Sequence, residues 1–162
     1  MKDLQALYES LGFSDVRTFI QSGNVLFRSD AVKPLQVLSD KIEKAIKAKY
    51  DFDVPVIIRT SEEMKSILSS NPFLTEDNID TDKLHLTFLD TLPSTEKVKT
   101  LTETDYSPDR FFIMGKDIYL YCPGGYRDTK LSNNLFEKKL QVKATTRNWR
   151  TARTLTEMGY QK

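Results

Sequence analysis

Residues 143–155, Lys-Ala-Thr-Thr-Arg-Asn-Trp-Arg-Thr-Ala-Arg-Thr-Leu, place the only tryptophan of the chain, Trp149, close to Arg147 and Arg150, with Thr146 and Asn148 beside it. Guanidinium groups, hydroxyls and an amide in one short run are the donors that hold an anion, and arginine suits phosphate because its planar fork gives paired hydrogen bonds. The same run also reads as a helix start. Thr146 serves as N-cap, Trp149, Ala152, Leu155 and Met158 face inward, and Arg147, Arg150 and Arg153 form a basic ridge where free backbone N–H groups add positive potential.

A second concentration of binding chemistry runs from Pro123 to Asn134. Gly124 and Gly125 free the backbone, and Tyr126 offers a ring. Arg127 and Lys130 bring charge just before a helix that Ser132 or Thr129 can cap. With Asn133 these complete a candidate anion- or nucleic-acid-binding set: Tyr126, Arg127, Lys130, Asn133, Thr146, Arg147, Asn148 and Arg150. A third place, the turn Gln21-Ser22-Gly23-Asn24, could present backbone N–H groups of Ser22, Gly23 and Asn24 to an anion, although the same residues suit an ordinary turn.

Other chemistries find little support. Neither G-x-x-x-x-G-K-[ST] nor G-x-G-x-x-G occurs, which argues against the two commonest nucleotide cradles. His85 is the only histidine, and alternation along Leu84-His85-Leu86-Thr87-Phe88 puts Leu84, Leu86 and Phe88 on one face and His85 with Thr87 on the other, an ordinary sheet surface. Cys122 ends an apolar strand and reads as packed, and no Cys/His spacing fits zinc. Asp51 and Asp53 read as solvated acids at a strand entrance. No metal, no cofactor and no catalytic residue is assigned.

Composition bounds the rest. The 162 residues are 39% hydrophobic and 29% charged with a net charge of +1, an ordinary globular composition. The charge is uneven, however. Residues 123–162 hold nine Lys/Arg against three acids, a net +6, which leaves −5 on the preceding 122 residues, so a basic face that could meet an anion is expected at the C-terminal end. One cysteine fits a reducing compartment, and the first residues lack the apolar segment of a signal peptide. With no membrane-spanning run either, the reading is cytoplasmic.

The periodicities of the sequence give the elements that must carry these residues. Leu4, Leu7, Tyr8 and Leu11 mark a helix that Gly12 stops, and strands 16–20 and 25–28 form a hairpin. A long helix starts near Pro34, and a nearly all-apolar strand covers 54–58. A connecting helix over 61–73 opens near Ser61 and stops at Asn71-Pro72, and a polar linker runs to Lys83. Then follow strand 84–89, a helix near Pro93, a hairpin 111–121 turning through Gly115-Lys116 with type II′ chemistry, a helix at Leu131–Leu140, a strand 142–145 and a last helix.

Residues 84–146 therefore read β-α-β-β-α-β, a ferredoxin-like unit. Residues 3–59 read the same order without its first strand. The expected fold class is α+β with two ferredoxin-like units, organised as 1–60 (incomplete), 61–83 (connecting helix and linker) and 84–162 (complete, with a C-terminal helix). Because the first strand of such a sheet is central, the incomplete unit should keep an unpaired edge, and pairing with another chain, as a homo-oligomer, is expected.

Phe19-Ile20-Gln21-Ser22-Gly23-Asn24-Val25, Asn71-Pro72-Phe73, the Tyr119 strand ahead of Pro123-Gly124-Gly125, Lys130-Leu131-Ser132-Asn133 and Thr145-Thr146-Arg147-Asn148-Trp149 occur in this order. In these motifs, spread over essentially all of its length, the chain resembles a bacterial family, the domain of unknown function family 1697. The resemblance implies a two-unit α/β fold of ferredoxin-like type and no established activity. It also implies a strand with an Arg-Gly-Ile-Asn-Val-Gly-Gly stretch ahead of the helix that opens this sequence.

Three functions remain in view. The first is a non-enzymatic module that binds nucleic acid or a phosphate-bearing small molecule on the basic C-terminal unit, with Tyr119 and Tyr121 sharing one strand face as a stacking platform. The second is an enzyme acting on a small anionic substrate, oriented by Arg127 and Arg147, with His85 or Tyr126 moving a proton. The third is a protein-interaction scaffold.

Overall fold

The structure, a computed structural model, describes residues 2–19, 23–29 and 34–159. The chain is a mixed α/β protein of two compact units. One runs to Arg59 and takes in the C-terminal end from Glu157; the other spans Thr60–Thr156. Six α-helices and two antiparallel sheets lie among the described residues.

In the first unit, α1 (Lys2–Ser10) is followed by β1 (Ser14–Phe19), β2 (Asn24–Arg28) and α2 (Leu35–Tyr50). Gly12 ends the first helical segment with φ +93°, a conformation that glycine adopts without steric cost. Pro34 precedes the first turn of α2, where a missing N–H would have had no partner in any case. The strands β1 and β2 pair antiparallel, Thr18 opposite Val25 and Phe19 opposite Asn24. Tyr8, Phe13, Val16, Leu38, Ile42 and Ile46 form the core, with the Phe13 and Phe27 rings 4.4 Å apart.

The strand expected over 54–58 is the main departure. Val54, Val56 and Ile58 do pack toward this core, but the segment has no strand pairing, and the Val56 N–H donates to the Glu43 carboxylate at 2.8 Å. Alternation was legible because it needs only side chains. Pairing needs a neighbouring backbone, and in this unit the only ladder among the described residues joins β1 to β2.

In the second unit, α3 (Ser61–Ser69) leads to β3 (Leu84–Leu89), α4 (Thr95–Thr102), β4 (Arg110–Met114), β5 (Asp117–Tyr121), α5 (Asn133–Leu140), β6 (Ala144–Asn148) and the greater part of α6 (Trp149–Gly159). The sheet order is β4-β5-β3-β6, every neighbour antiparallel. Each helix start is fixed by a side chain that satisfies an orphan N–H. Thr60, rather than Ser61, caps α3 and forms a reciprocal box with Glu63; Ser94 caps α4 and Ser132 caps α5. Gly115 turns the β4–β5 hairpin with φ +64°, as a type II′ turn requires at its first central residue.

Both faces of this sheet are covered. On one, Leu89, Ile118 and Leu120 pack with Leu101 of α4 and with Leu131, Phe136 and Leu140 at α5. On the other, the Tyr119 hydroxyl donates to the Ile67 carbonyl at 2.7 Å, and the Phe73 ring lies 5.8 Å from Tyr121. The Arg110 guanidinium sits over the Phe73 and Tyr121 rings and grips both Glu76 carboxylate oxygens, at 2.7 and 3.1 Å.

Candidate functional site

The polar residues of β3 occupy places that simple alternation misjudges. Thr87 is fully buried and His85 is half-buried, so the His85/Thr87 side of the strand is a core face rather than a solvent face. The reason is that Thr87 and His85 lie opposite Ile118 and Leu120 of β5, on the face that α4 and α5 cover.

Thr87 lies opposite Thr146 of β6, and their hydroxyls are 2.7 Å apart. The Thr146 hydroxyl is in turn 2.5 Å from Asn133 Oδ1 at the start of α5. The direction of this relay follows from chemistry. An amide oxygen only accepts, so Thr146 donates to Asn133 and must accept from Thr87. The Asn133 amide is thereby fixed with its oxygen inward and its NH₂ donors on the other side.

Beside that amide, the first turn of α5 carries unused donors. Ser132 Oγ accepts from the Leu135 N–H at 3.3 Å, and the Ser132 carbonyl accepts from Phe136. The backbone N–H groups of Asn133 and Asn134 have no protein partner among the described residues, and a helix start is where partial positive charge gathers. The loop leading in is pinned at Thr129, whose hydroxyl donates to Asp109 at 2.5 Å and accepts from the Leu131 N–H at 3.1 Å. Arg127 and Lys130 are exposed on it.

His85 lies at the same end of β3, and its ring stacks on Tyr126 with centroids 4.7 Å apart and planes 24° from parallel. Its Nδ1 is buried with no hydrogen-bond partner among the described residues. Burial lowers its pKa, the nearby Lys83 backbone opposes the shift, and the Lys83 charge adds to it. The folded state thus binds a proton less readily than the unfolded chain, whose imidazole titrates near ~6.5. This contribution to stability is complete above that pH and is lost as pH falls through the folded-state value. Urea unfolding between pH 7.5 and about 5 should show the stability difference between the chain and His85→Gln shrinking with acidification; a constant difference would count against it.

The remaining predicted residues are placed otherwise. Asn148, not Thr146, caps α6, accepting from the Thr151 N–H at 2.7 Å, because β6 runs on to Asn148 and leaves the first free helix N–H groups beyond it. Arg147 lies in β6 opposite Leu86 and donates to Thr145 Oγ1 and the Thr146 carbonyl, both at 2.9 Å. Arg150 and Arg153 are exposed on α6, so the ridge of three arginines on one helix flank does not form. Trp149 is 5% exposed. At the other predicted turn, Gly23 has φ +80° and the Asn24 amide donates to the Phe19 carbonyl at 3.1 Å; Gln21 and Ser22 lie outside the described residues.

The structure therefore joins Asn133 to Thr146 directly and places Tyr126 on His85. It does not bring Arg147, Arg150 or the Asn148 amide into that cluster. Thr87, buried at its centre, escaped the sequence reading; its signal was a hydroxyl inside a strand with apolar residues on both faces. Tyr119 and Tyr121, read as a stacking platform, are packing residues. Tyr119 is 2% exposed, and burial, aided by Asp117, pushes its pKa up to about 12. Cys122 is buried and its thiol pKa is raised by burial despite a hydrogen bond to Thr129, which keeps it in the unreactive thiol form. Among the described residues no group of three or more His, Cys, Asp or Glu could hold a metal, and no helix is long and apolar enough to cross a membrane.

Fold and site together define a mixed α/β protein with a polar cluster at the head of α5. The chain belongs to a family of proteins of unknown function, DUF1697, whose model matches residues 1–119. The motifs at 123–134 and 145–149 lie beyond that match. Among solved structures the chain is similar to a conserved bacterial protein, SP0830 from Streptococcus pneumoniae, with a TM-score of 0.74 and 19% identity over 98% of this chain and 88% of that one. No curated protein matches it.

Proposed function

We propose that the second unit is a non-enzymatic anion-binding module that takes a phosphate group, on a small molecule or a nucleic acid, at the start of α5. The observation that carries this reading is the hydroxyl relay from Thr87 through Thr146 to Asn133. It occupies the Asn133 amide oxygen and leaves the NH₂ donors, like the N–H groups of Asn133 and Asn134, without a protein partner among the described residues, and charge-assisted bonds from such donors are the stronger kind. The net +6 of residues 123–162 and the exposed Arg127 and Lys130 support it.

The fold supports the same reading at one remove. We infer a ferredoxin-like arrangement for the second unit from the order β-α-β-β-α-β and the sheet order β4-β5-β3-β6. Many RNA-binding sheets of this type stack bases on an open face. Here that role is taken out of reach by α3 and Phe73, so the phosphate rather than the base is the recognised group.

The test is a titration with inorganic pyrophosphate and with a single-stranded RNA oligomer, followed by amide shifts at 132–136. Removing Arg127 and Lys130 together by alanine substitution should lower the slope of log affinity against log salt for the RNA by about 1.4, on the order of 0.7 per lost contact. Unchanged slope and affinity would remove the proposal. A second reading, an enzyme on a small anionic substrate, is favoured by the buried, unpartnered His85 Nδ1 beside Tyr126. Turnover lost in His85→Gln but with binding retained would select it.

A further inference from the structure

We propose that the open edge of β4 is a self-association surface, on which a second copy of this chain adds its own β4 antiparallel about a two-fold axis at Phe112. The surface lies within the second unit and is independent of the phosphate site.

The two edges of the second sheet are β4 and β6, and only one of them is guarded. The Asp90 N–H donates to the Lys143 carbonyl at 3.0 Å, which by alternation turns the backbone groups of Ala144 and Thr146 away from β3. Side chains take them up there. Glu137 accepts from the Ala144 N–H at 3.3 Å, and the Arg147 guanidinium donates to the Thr146 carbonyl at 2.9 Å. At the other edge, Met114 and Asp117 flank a two-residue turn and so form a hydrogen-bonded pair, as do Phe112 with Tyr119 and Arg110 with Tyr121. Phe111 and Ile113 therefore point their N–H and C=O groups outward, where they have no protein partner among the described residues. Within Phe111-Phe112-Ile113-Met114 there is no charge, proline or bulge, the devices that normally keep an edge single.

The side chains say which strand fits. On one face, Phe112 and Met114 are 44% and 47% exposed, and the Phe112 ring already packs on Phe73 with centroids 5.0 Å apart. On the other, Phe111 and Ile113 are half-buried against the core. A strand added here must be apolar on both faces, as β4 itself is. With Phe112 on the axis, Phe111 of each copy exchanges backbone bonds with Ile113 of the other. The two Phe112 residues then form a non-hydrogen-bonded pair, Cα atoms about 4.5 Å apart, and their exposed sides close on each other, a stabilising cross-strand contact.

Charge selects this register. A slide that puts Ile113 on the axis would set Arg110 opposite Lys116 and Asp109 opposite Asp117, like against like. A slide the other way would set Asp109 opposite Ile113, an acid against an apolar side chain. With Phe112 on the axis no two charges meet: Arg110 lies opposite Met114 and keeps its bond to Glu76 at 2.7 Å. The same patch serves both copies, so the assembly closes as a dimer. The paired strand is only five residues long, which makes the dimer weak and concentration-dependent.

The test is sedimentation equilibrium of the full chain from about 10 μM to about 1 mM, with amide hydrogen exchange across the same range. A monomer–dimer equilibrium is expected, with exchange of the Phe111 and Ile113 amides slowed about elevenfold once free chain reaches ten times the dissociation constant. Phe112→Lys and Phe112→Glu, each alone, set like charges opposite each other and should weaken the dimer at least about tenfold. An equimolar mixture of the two variants should associate again, because position 112 meets only itself across the axis. A monomer throughout the range would overturn the proposal, as would a dimer that Phe112→Lys leaves unchanged. Should either variant fail to fold, the parent chain decides alone: Phe111 and Ile113 amides whose exchange ignores concentration would overturn it.

Discussion

Trp149→Ala should destabilise the chain by about 3–5 kcal/mol, the range for removing a buried tryptophan, and lower the melting temperature by about 10 °C at a few degrees per kcal/mol. Arg150→Ala, one residue on, should stay within about 0.5 kcal/mol. The contrast follows from position. Trp149 is buried at the first turn of α6 beside buried Ala152, whereas Arg150 points into solvent. Urea unfolding followed by circular dichroism measures both. A tryptophan variant as stable as the parent would mean that the ring is a binding element and not an anchor.

The second large effect is expected from Thr146→Val, which keeps shape and removes one hydroxyl. The Thr87 hydroxyl, fully buried, then loses its acceptor, and Asn133 Oδ1 loses its donor. The cost should be about 2–3 kcal/mol, since a buried polar group without a partner carries its full desolvation penalty. Adding Thr87→Val should recover about 1–2 kcal/mol, because replacing both partners with apolar groups of the same shape removes the penalty. Phosphate-induced shifts at 132–136 should vanish in Thr146→Val and stay absent in the double variant, because the Asn133 amide is no longer held. A single variant as stable as the parent, or one that still responds to phosphate, would show that the relay does not orient the site.

Local features were legible where they need only neighbours in sequence. Gly12, Pro34 and Ser132 mark helix limits, Gly115 sets a turn, and alternation in 84–89 marks a strand. What was not legible depends on the layer placed above or beside an element. His85 and Thr87 alternate like surface residues, and only the helices α4 and α5 packed on that face bury them. Tyr119 and Tyr121 look like a stacking pair until α3 and Phe73 cover them. Arg147 looks like a helix residue until β6 extends to Asn148 and takes it into the sheet. Of the polar cluster at the head of α5, Tyr126 and Asn133 were read from loop and helix-start chemistry, Thr146 was read as a helix cap where it lies in β6, and Thr87 was read as a sheet-surface residue where it is buried.

The loop between Cys122 and Thr129 hangs from two fixed points. The Cys122 N–H is bonded to the Lys83 carbonyl at 3.0 Å, and Thr129 is tied to Asp109 and Leu131. Nothing between them is buried. Lengthening such a segment costs little, about 0.6 kcal/mol for each doubling, while shifting either anchor would disturb β5 or α5. Apart from Tyr126, which stacks on His85 and packs against the core, and Gly125, whose φ is +96°, this stretch can be lengthened and its side chains rewritten at little cost to the sheet. That stretch borders the head of α5, so a change of ligand would need no change of fold.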